Sequence, residues 1–350
     1  MIVRRQSKPI RIGKVTVGGN SPIIVQSMAK TDTRDTKATI NQINELSDCG
    51  CEIVRIAIPD LEAAEAVSKI KKKTTIPIIA DIHFDYRLAL ESLKAGADAL
   101  RLNPGNIRDR KQVAEVVMAA RQRQVPIRIG VNAGSLPPAT KPGISTSSHM
   151  VNTALEQIKL LESLDFDLIK VSLKAFDVLT SIEAYRSIAS KMPYPLHLGI
   201  TEAGLPLAGA VRSAVGLGIL LYEGIGDTLR VSLSAPPCQE VNAAYEILKS
   251  LNLRQHGPVL ISCPSCGRAE VDIISLAESV DMTLKDIKKP IKVAVMGCVV
   301  NGPGEAKEAD IGIACGKGKG VIFRKGKIIR TVMEDDFAVA FVNELKKITD

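Results

Sequence analysis

The repeated alternation of a β-branched run with an amphipathic stretch is the feature that most restricts the fold of this 350-residue chain. Eight such runs occur between residues 22 and 233, and a stretch of helical periodicity follows each of them. The predicted strands cover residues 22–27, 52–58, 77–83, 99–103, 126–132, 168–173, 195–201 and 228–233. Eight parallel strands in about 230 residues are the number and length expected of an α/β fold of the (β/α)8 TIM-barrel type.

The predicted helices between the strands cover residues 37–47, 61–72, 87–95, 111–121, 149–163, 182–191, 207–222 and 239–251. A doubly wound open sheet is the competing topology. Such a sheet usually carries a glycine-rich phosphate-binding turn after its first strand, and none follows Ser27. A short hairpin over residues 10–19 precedes the first strand. We therefore expect residues 1–251 to form a barrel.

The pattern changes after residue 251, where a short polar connector leads into mixed elements. Strands are predicted at 259–262, 291–296 and 310–314, with a hairpin around 324–327 and helices at 269–280 and 335–347. This mixture of strands and helices predicts a small α+β domain over residues 258–350.

The carboxyl ends of the predicted barrel strands are polar and mostly basic. Those end positions hold Gln26, Met28, Arg55, Asp81, His83, Arg101, Asn103, Arg128, Asn132, Lys170, Ser172, Lys174, His197, Thr201, Glu202, Arg230 and Ser232. Chemistry in a barrel takes place at this end, and arginines that converge there suit a ligand with several phosphate oxygens, because guanidinium binds them in pairs. Any one of these residues could equally form a rim salt bridge, but their recurrence on successive strands favours a binding site.

Three cysteines and a carboxylate in the second domain have the spacing of a metal site. Cys263 and Cys266 lie three apart, Cys298 lies in a glycine-rich turn, and Glu305 follows seven residues later. Two sites remain open on spacing alone: a structural zinc site with Cys315 as the fourth thiolate, or an iron–sulfur cluster with Glu305 as an oxygen ligand.

Composition narrows the class of protein. The formal charge of +8 suits an anionic partner, whereas 3% aromatic residues and no tryptophan leave little for base stacking. Seven cysteines indicate free thiols or ligands in a reducing compartment, with Cys49, Cys51 and Cys238 expected as small buried apolar residues. No apolar run reaches the roughly 18 residues of a membrane span, and residues 1–5 lack the apolar stretch of a signal peptide. We expect a cytoplasmic protein.

Six segments of the chain resemble those of the 4-hydroxy-3-methylbut-2-enyl diphosphate synthase family. They are Val-Gln-Ser-Met at 25–28, Arg-Leu-Asn-Pro-Gly at 101–105, Arg-Ile-Gly-Val-Asn at 128–132, Cys-Pro-Ser-Cys-Gly-Arg at 263–268, Met-Gly-Cys-Val-Val-Asn-Gly-Pro-Gly-Glu at 296–305 and Ala-Asp-Ile-Gly-Ile-Ala-Cys-Gly at 309–316. The resemblance runs nearly end to end. It implies the bacterial two-domain form and a [4Fe–4S] cluster on Cys263, Cys266, Cys298 and Glu305, with Cys315 unligated.

The resemblance also implies a reaction in non-mevalonate isoprenoid synthesis, the reductive opening and dehydration of 2-C-methyl-D-erythritol 2,4-cyclodiphosphate to 4-hydroxy-3-methylbut-2-enyl diphosphate. Two electrons are needed, and a cluster passes one at a time, so a small acidic carrier such as flavodoxin or ferredoxin is expected to dock twice. By the same resemblance, the expected substrate contacts are Arg55, Arg101, Asn103, Arg128, Asn132 and Lys174, and Glu202 is expected to handle protons. Asp81, His83, Arg230 and Ser232 join the substrate-binding candidates through their positions at the strand ends.

The connection between the domains predicts a homodimer. The last barrel helix runs away from the mouth, and the connector over residues 252–258 spans at most about 25 Å when extended. A cluster domain that caps the mouth of a partner subunit avoids that strain, in a closed two-fold pairing. Two rival functions remain: another barrel enzyme, such as a pterin-binding transferase with a structural zinc module, or a basic nucleic-acid binder with zinc. Metal analysis distinguishes both from the cluster enzyme.

Overall fold

A computed structural model describes residues 2–83, 85–102, 109–139, 142–267, 269–298, 304 and 306–349. The chain divides into two compact units, Met1–Arg254 and Gln255–Asp350. None of the helices among these residues combines the length and the apolar character that crossing a bilayer requires.

The first unit is a parallel barrel preceded by a hairpin of β1 (Ile10–Ile12) and β2 (Val15–Val17). Its strands are β3 (Ile24–Met28), β4 (Ile53–Ala57), β5 (Ile78–Ile82), β6 (Ala99–Leu102), β7 (Ile127–Asn132), β8 (Ile169–Lys174), β9 (His197–Leu198) and β10 (Thr228–Leu229). They follow the order β8-β7-β6-β5-β4-β3-β10-β9. A parallel bridge between Val171 and Leu196 joins the two outer strands, so the ring closes. The predicted TIM barrel is confirmed.

A helix follows each barrel strand. The helices are α1 (Thr36–Asp48), α2 (Leu61–Lys71), α3 (Tyr86–Lys94), α4 (Arg110–Gln122), α5 (Thr146–Glu162), α6 (Val178–Ala189), α7 (Pro206–Tyr222) and α8 (Pro237–Ser250). Side-chain caps fix most of their first turns, because an oxygen there accepts from an otherwise unpaired backbone N–H. Helix α5 begins at residue 146 rather than 149 because Ser145 caps it, and α6 begins at 178 rather than 182 because Asp177 caps it.

The hairpin closes the amino-terminal end of the barrel. Ile10, Ile12 and Val17 are buried against the lowest inward residues of the strands, among them Ile24 and Ile53. Burial of this apolar layer removes water from one end of the ring. The polar residues that the sequence places at the carboxyl ends of the strands therefore lie at the other end, which we call the mouth.

Strands β9 and β10 are shorter than predicted, since their ladders end at Leu198 and Leu229. The Arg230 backbone N–H still donates to the Leu198 carbonyl (3.0 Å), but the Leu233 N–H donates to the Glu240 carboxylate (3.1 Å) instead of to a strand. The Glu240 side chain of α8 thus replaces the strand-to-strand hydrogen bond that would otherwise extend β10.

The second unit is an α+β domain, as predicted. Its sheet has the order β11 (Val259–Ser262), β12 (Lys292–Met296), β13 (Ile311–Gly316), β14 (Lys319–Arg324) and β15 (Lys327–Met333), and the first three strands are parallel. Helices α9 (Ile273–Leu284) and α10 (Phe337–Thr349) pack on it. Helix α9 begins later than the predicted residue 269 because Asp272 accepts from the Ser275 N–H (3.1 Å).

One expectation about the cysteines is wrong. Cys49, at the end of α1, and Cys238, in the first turn of α8, form a disulfide rather than staying free thiols. The two residues are 189 positions apart in the sequence. The first barrel helix lies beside the last one only because the barrel closes. The spacing of the cysteines in the sequence does not indicate this contact. Cys51 is a buried thiol, as predicted.

Candidate active site

The mouth is built from alternate residues of neighbouring strands, because successive side chains of a strand point to opposite faces. Arg128 of β7 lies opposite Lys170 of β8, and Asn132 lies opposite Lys174 four residues further along the same pair. Arg101 of β6 is the register partner of Arg128 on its other side. Three buried cations, Arg101, Arg128 and Lys170, therefore stand side by side.

Asp81 is the carboxylate at the centre of this cationic group. It is buried, it accepts a hydrogen bond from Arg101 Nη1 (3.2 Å), and it lies 3.5 Å from Arg55 Nε and 3.4 Å from His83 Nε2. Burial alone would raise the pKa of this carboxyl, but the charge of Arg55, the contact with His83 and the charge of Arg101 together lower it far below its usual range. Asp81 therefore stays ionised and orients the two guanidinium groups.

Arg128 has far fewer partners than its charge requires. It is 2% exposed, and its Nε and Nη1 atoms have no hydrogen-bond partner among the described residues. Burial, and then the charges of Arg55 and Arg101, lower the pKa of this guanidinium well below its ordinary value. Buried charges are normally paired, so an unpaired guanidinium at this depth indicates a place for an anion.

Two lysines and a histidine share this environment. Lys170 is 1% exposed, and its Nζ has no partner among the described residues. The Lys174 amine lies where a side chain on Gly199 would stand, since a Cβ built there would be 2.5 Å from Nζ. His197 is fully buried, with Nδ1 2.8 Å from Thr228 Oγ1. Burial first, and the neighbouring cations second, lower the pKa of all three groups well below their ordinary values.

Glu240 anchors the eighth strand. Its buried carboxylate lies 3.3 Å from Arg230 Nε and 3.1 Å from Lys30 Nζ, and it accepts from Ser27 Oγ (3.1 Å). Arg230 is thereby held at the mouth beside the Met28 thioether, which lies 3.5 Å from its Nη1. Glu240, in the last barrel helix α8, therefore contacts both the first barrel strand (β3) and the segment after the eighth barrel strand (β10).

The remaining candidates lie around the rim. Glu202 is exposed in the loop between β9 and α7, with a left-handed backbone (φ 56°), and Ser232 is half-buried after β10. Asn132 is half-buried at the end of β7. Asn103 lies outside the described residues. The mouth thus holds many more cations than carboxylates, an arrangement that fits a ligand with several anionic oxygens.

The thiols of the second unit lie in two adjacent loops. Cys263 and Cys266 follow β11, Cys298 follows β12, and these two strands are paired in parallel. The Gly297 backbone N–H donates to Cys263 Sγ (3.2 Å), which brings the first loop against the residue that precedes Cys298. No set of three His, Cys, Asp or Glu side chains in the described part of the chain is close enough to hold a metal ion, and Glu305 lies outside that part.

Sequence reasoning named Lys170 and His197 as strand-end residues but did not select them as site residues, and it did not select Glu240 at all. The alternation of side chains along a strand could have identified Lys170 and His197. It places Lys170 on the same face as Lys174 in β8, and His197 on the same face as Gly199 in the segment that begins with β9. Glu240 carries no such signal, because its partners lie on strands far away in the sequence.

Fold and site together define a (β/α)8-barrel protein with a predominantly cationic barrel interior and a second unit that carries three loop thiols. Two family models match the chain: the GcpE TIM-barrel domain over residues 7–245 and the GcpE protein C-terminal domain over residues 259–347. The chain belongs to the GcpE family.

Relatives named 4-hydroxy-3-methylbut-2-en-1-yl diphosphate synthase (flavodoxin) match over nearly the full length. The protein of Dehalococcoides mccartyi (strain BAV1) is 65% identical, with 99% of each chain covered. The Geobacter sulfurreducens protein is 57% identical, again with 99% of each covered, and the Bacillus subtilis protein is 54% identical over 99% of this chain and 92% of its own.

Among solved structures, dihydropteroate synthases share the barrel. The Xanthomonas albilineans enzyme in complex with 7,8-dihydropteroate has a TM-score of 0.52 at 14% identity, covering 70% of this chain and 98% of that one. The Yersinia pestis enzyme has a TM-score of 0.51 at 11% identity and the same coverage. At this identity the likeness shows the fold alone, so it gives no support to pterin chemistry.

Proposed function

We propose that this chain converts 2-C-methyl-D-erythritol 2,4-cyclodiphosphate to 4-hydroxy-3-methylbut-2-enyl diphosphate in isoprenoid synthesis, with electrons from flavodoxin. The names of the full-length relatives support the reaction and the donor. The observation that carries the proposal is that Arg128 Nε and Nη1 and Lys170 Nζ, buried inside the barrel, have no hydrogen-bond partner among the described residues. A cyclic diphosphate supplies the oxygens that these donors lack.

The charge balance of the reaction suits this mouth. One carbon–oxygen bond of the ring and the bond to a hydroxyl group break, and a double bond forms between the two carbons. Two electrons and one proton enter and water leaves, so the organic ion gains one negative charge. Preorganised cations therefore stabilise the product side more strongly than the substrate side, which is the direction that favours ring opening.

Residue roles follow from position and charge. Arg55, Arg101 and Arg128 bind the diphosphate oxygens, with Asp81 fixing the directions of the first two. Lys174 adds a fourth donor. Burial and the neighbouring cations lower the pKa of its amine, and the charge of a bound anion would raise that pKa. The contacts proposed to complete the set are Lys170, Asn103, Asn132, His83, Arg230 and Ser232. Glu202, exposed on its loop, is proposed to hold or move the proton near the substrate.

A [4Fe–4S] cluster fits the donor set of the second unit, in which Cys263 and Cys298 lie in touching loops and soft thiolates suit iron. Cys263, Cys266, Cys298 and the Glu305 carboxylate would hold it. When bound, such a cluster supplies the substrate with electrons one at a time. Cys315 is fully buried, and burial raises the pKa of its thiol to about 12, so it stays a neutral core residue.

We assign substrate binding to residues 1–251 and the cluster to residues 258–350. A homodimer, in which each cluster domain caps the barrel of its partner, is proposed from the short connector between α8 and β11. The net charge of +8 favours an acidic carrier such as flavodoxin through steering.

Anaerobic purification with metal analysis and a turnover assay tests the proposal. We expect about four irons per chain, from the composition of the cluster, and product formation from the cyclodiphosphate with reduced flavodoxin. One zinc per chain, or iron-loaded protein that leaves the cyclodiphosphate unchanged, would contradict it.

A further inference from the structure

The side chain of Met28 lies between two arginines at the mouth. Met28 ends β3 and is the register partner of Arg55 on β4. Its thioether sulfur lies 2.8 Å from Nη2 and 3.1 Å from Nε of Arg55, and 3.5 Å from Nη1 of Arg230. The two guanidinium groups therefore share one uncharged acceptor.

Each of these arginines also contacts a carboxylate. Arg55 Nε lies 3.5 Å from Asp81 Oδ2, and Arg230 Nε lies 3.3 Å from Glu240 Oε2. The barrel strands follow the order β5-β4-β3-β10, so their upper ends present a row of Asp81, Arg55, Met28 and Arg230, which Glu240 of α8 completes. A neutral thioether thus stands in the middle of a row whose other members are ionisable.

Two guanidinium groups this close to each other repel. Burial lowers the pKa of Arg55 to about 10; the charge of Asp81 opposes that decrease, and the charge of Arg230 adds to it. Without a shared acceptor, repulsion would turn each guanidinium towards its own carboxylate and away from the other. The sulfur of Met28 gives both groups a reason to stay together.

The weakness of a thioether as an acceptor suits this position. A carboxylate there would pair with both guanidinium groups, cancel their charge and repel an anionic ligand. Phosphate oxygens form charge-assisted hydrogen bonds with arginine and are much stronger acceptors than sulfur, so they can displace it at little cost. The donors are therefore held in place in the free protein and remain available to the ligand.

We propose that Met28 is a positioning residue, which presents Arg55 and Arg230 together to one diphosphate group. It acts through the two arginines and not on the reacting atoms. The proposal rests on the proposed function for the identity of the substrate. Its test uses inorganic diphosphate as the probe, so that binding is measured without turnover.

Three replacements of Met28 separate a positioning role from the filling of space. Met28→Leu keeps the volume and removes the acceptor, so the dissociation constant of inorganic diphosphate should rise about tenfold. Met28→Gln supplies a neutral amide oxygen and should stay within about threefold of the wild type. Met28→Glu pairs with both arginines and should raise the constant about a hundredfold. A residue that only fills space would give the opposite order for the first two, because leucine is the better substitute for volume and polarity.

Isothermal titration calorimetry of the anaerobically purified, cluster-loaded protein measures these constants, and KM for the cyclodiphosphate should follow the same order. Met192→Leu is the matched control. Met192 is also a buried methionine beside an arginine, with Sδ 3.8 Å from Arg5 Nη2, but it lies in the loop between α6 and β9, at the opposite end of the barrel. Its replacement should leave the dissociation constant and KM unchanged.

Met28→Leu with the affinity of the wild type, or Met28→Gln as weak as Met28→Leu, would overturn the proposal, as would a wild-type protein that does not bind inorganic diphosphate. The expected order of affinities in a protein that leaves the cyclodiphosphate unchanged would overturn the proposed function and leave the role of Met28 standing. Circular dichroism checks each fold. If Met28→Gln unfolds, the combination of Met28→Leu with Arg230→Lys decides: losses that are not additive support the proposal, and additive losses contradict it.

Discussion

The buried cationic side chains inside the barrel reduce the stability of the fold, and under the proposed function they bind the substrate. Arg128 and Lys170 are buried, and Arg128 Nε and Nη1 and Lys170 Nζ have no hydrogen-bond partner among the described residues. Unpaired buried donors cost free energy that a bound anion returns. Replacement of such a residue should therefore increase the free energy of unfolding and weaken substrate binding.

Lys170→Met tests this opposition. The change keeps the length of the side chain and removes a buried, unpaired amine, so the free energy of unfolding should rise by about 1–3 kcal/mol. Substrate KM should rise about tenfold because one cation is lost. Urea unfolding followed by circular dichroism measures the free energy of unfolding, and steady-state kinetics measure KM. Lys159→Met, on the exposed side of α5, is the control and should change neither quantity. A destabilised Lys170→Met with normal KM would contradict the anion-site assignment.

The decrease of the free energy of unfolding at acid pH should depend on His197. Burial lowers its pKa below the ordinary value near 6.5, so the neutral form is favoured in the folded state. Its contribution is complete above about pH 6.5 and is lost as the pH falls below that value, since the unfolded chain then takes up the proton. His197→Asn, which cannot titrate, should flatten the fall in urea midpoint between pH 7.5 and 5.5. An unchanged slope in His197→Asn would contradict this assignment.

The cysteine roles predict different metal contents. Cys263→Ser, Cys266→Ser and Cys298→Ser should each lose the iron and the turnover, because a serine hydroxyl replaces a thiolate ligand. Cys315→Ser should keep its iron, since burial holds that thiol protonated and away from a ligand role. Iron analysis after anaerobic purification separates them. Loss of iron in Cys315→Ser with full iron in Glu305→Ala would reverse the ligand assignment.

At the scale of elements, caps and glycines position the site. Asp35, Asp60, Asp85 and Asp109 accept from the first backbone N–H groups of α1 to α4, which fixes where each loop above the mouth ends. Glycines on the strands then make room for cations. A Cβ on Gly130 would stand 2.6 Å from Arg101 Nε, so any side chain there would displace the Arg101 guanidinium.

Gly199→Ala should displace the Lys174 amine. Its new Cβ would lie 2.5 Å from Nζ and 2.9 Å from the Arg230 carbonyl oxygen, closer than side-chain carbons pack. Loss of one charge-assisted contact costs about 1.5–3 kcal/mol, so KM should rise roughly ten- to a hundredfold. Gly134→Ala, where a Cβ meets nothing within 4 Å, is the matched control. If steady-state kinetics give both variants the same KM as the wild type, Lys174 does not bind the substrate.

At the scale of the whole molecule, contacts across the barrel seam connect the beginning and the end of the first unit. The Cys49–Cys238 disulfide joins α1 to α8, and Arg254, after α8, donates to the Ile23 carbonyl (2.6 Å) and pairs with Glu52 (3.1 Å). The first and last βα units are thereby fixed to each other. The proposed function, by contrast, uses a barrel mouth and thiol-bearing loops that belong to separate compact units.

Complementation between inactive chains tests whether the two units act across a dimer. An inactive Cys298→Ser chain keeps an intact barrel, and an inactive Arg128→Ala chain keeps an intact cluster domain. If sites form between chains, a mixed dimer contains one complete site and should recover up to half the activity of a wild-type dimer. Turnover of the mixture after subunit exchange is the measurement. No recovery in mixed dimers verified by mass would mean that each site lies within one chain.

The sequence by itself determined the barrel, the second domain and the thiol-bearing loops, because these depend on local periodicity and on short motifs. Eight βα repeats predict a barrel without any long-range information, and Cys263 and Cys266 are neighbours whatever the fold. The tertiary structure alone decided which distant groups meet. Asp81 meets Arg101 through strand register, and the contact of Glu240 with Ser27 and the Cys49–Cys238 bond depend on ring closure. Contacts between residues far apart in the sequence are set by strand register and helix position, which local pattern does not encode.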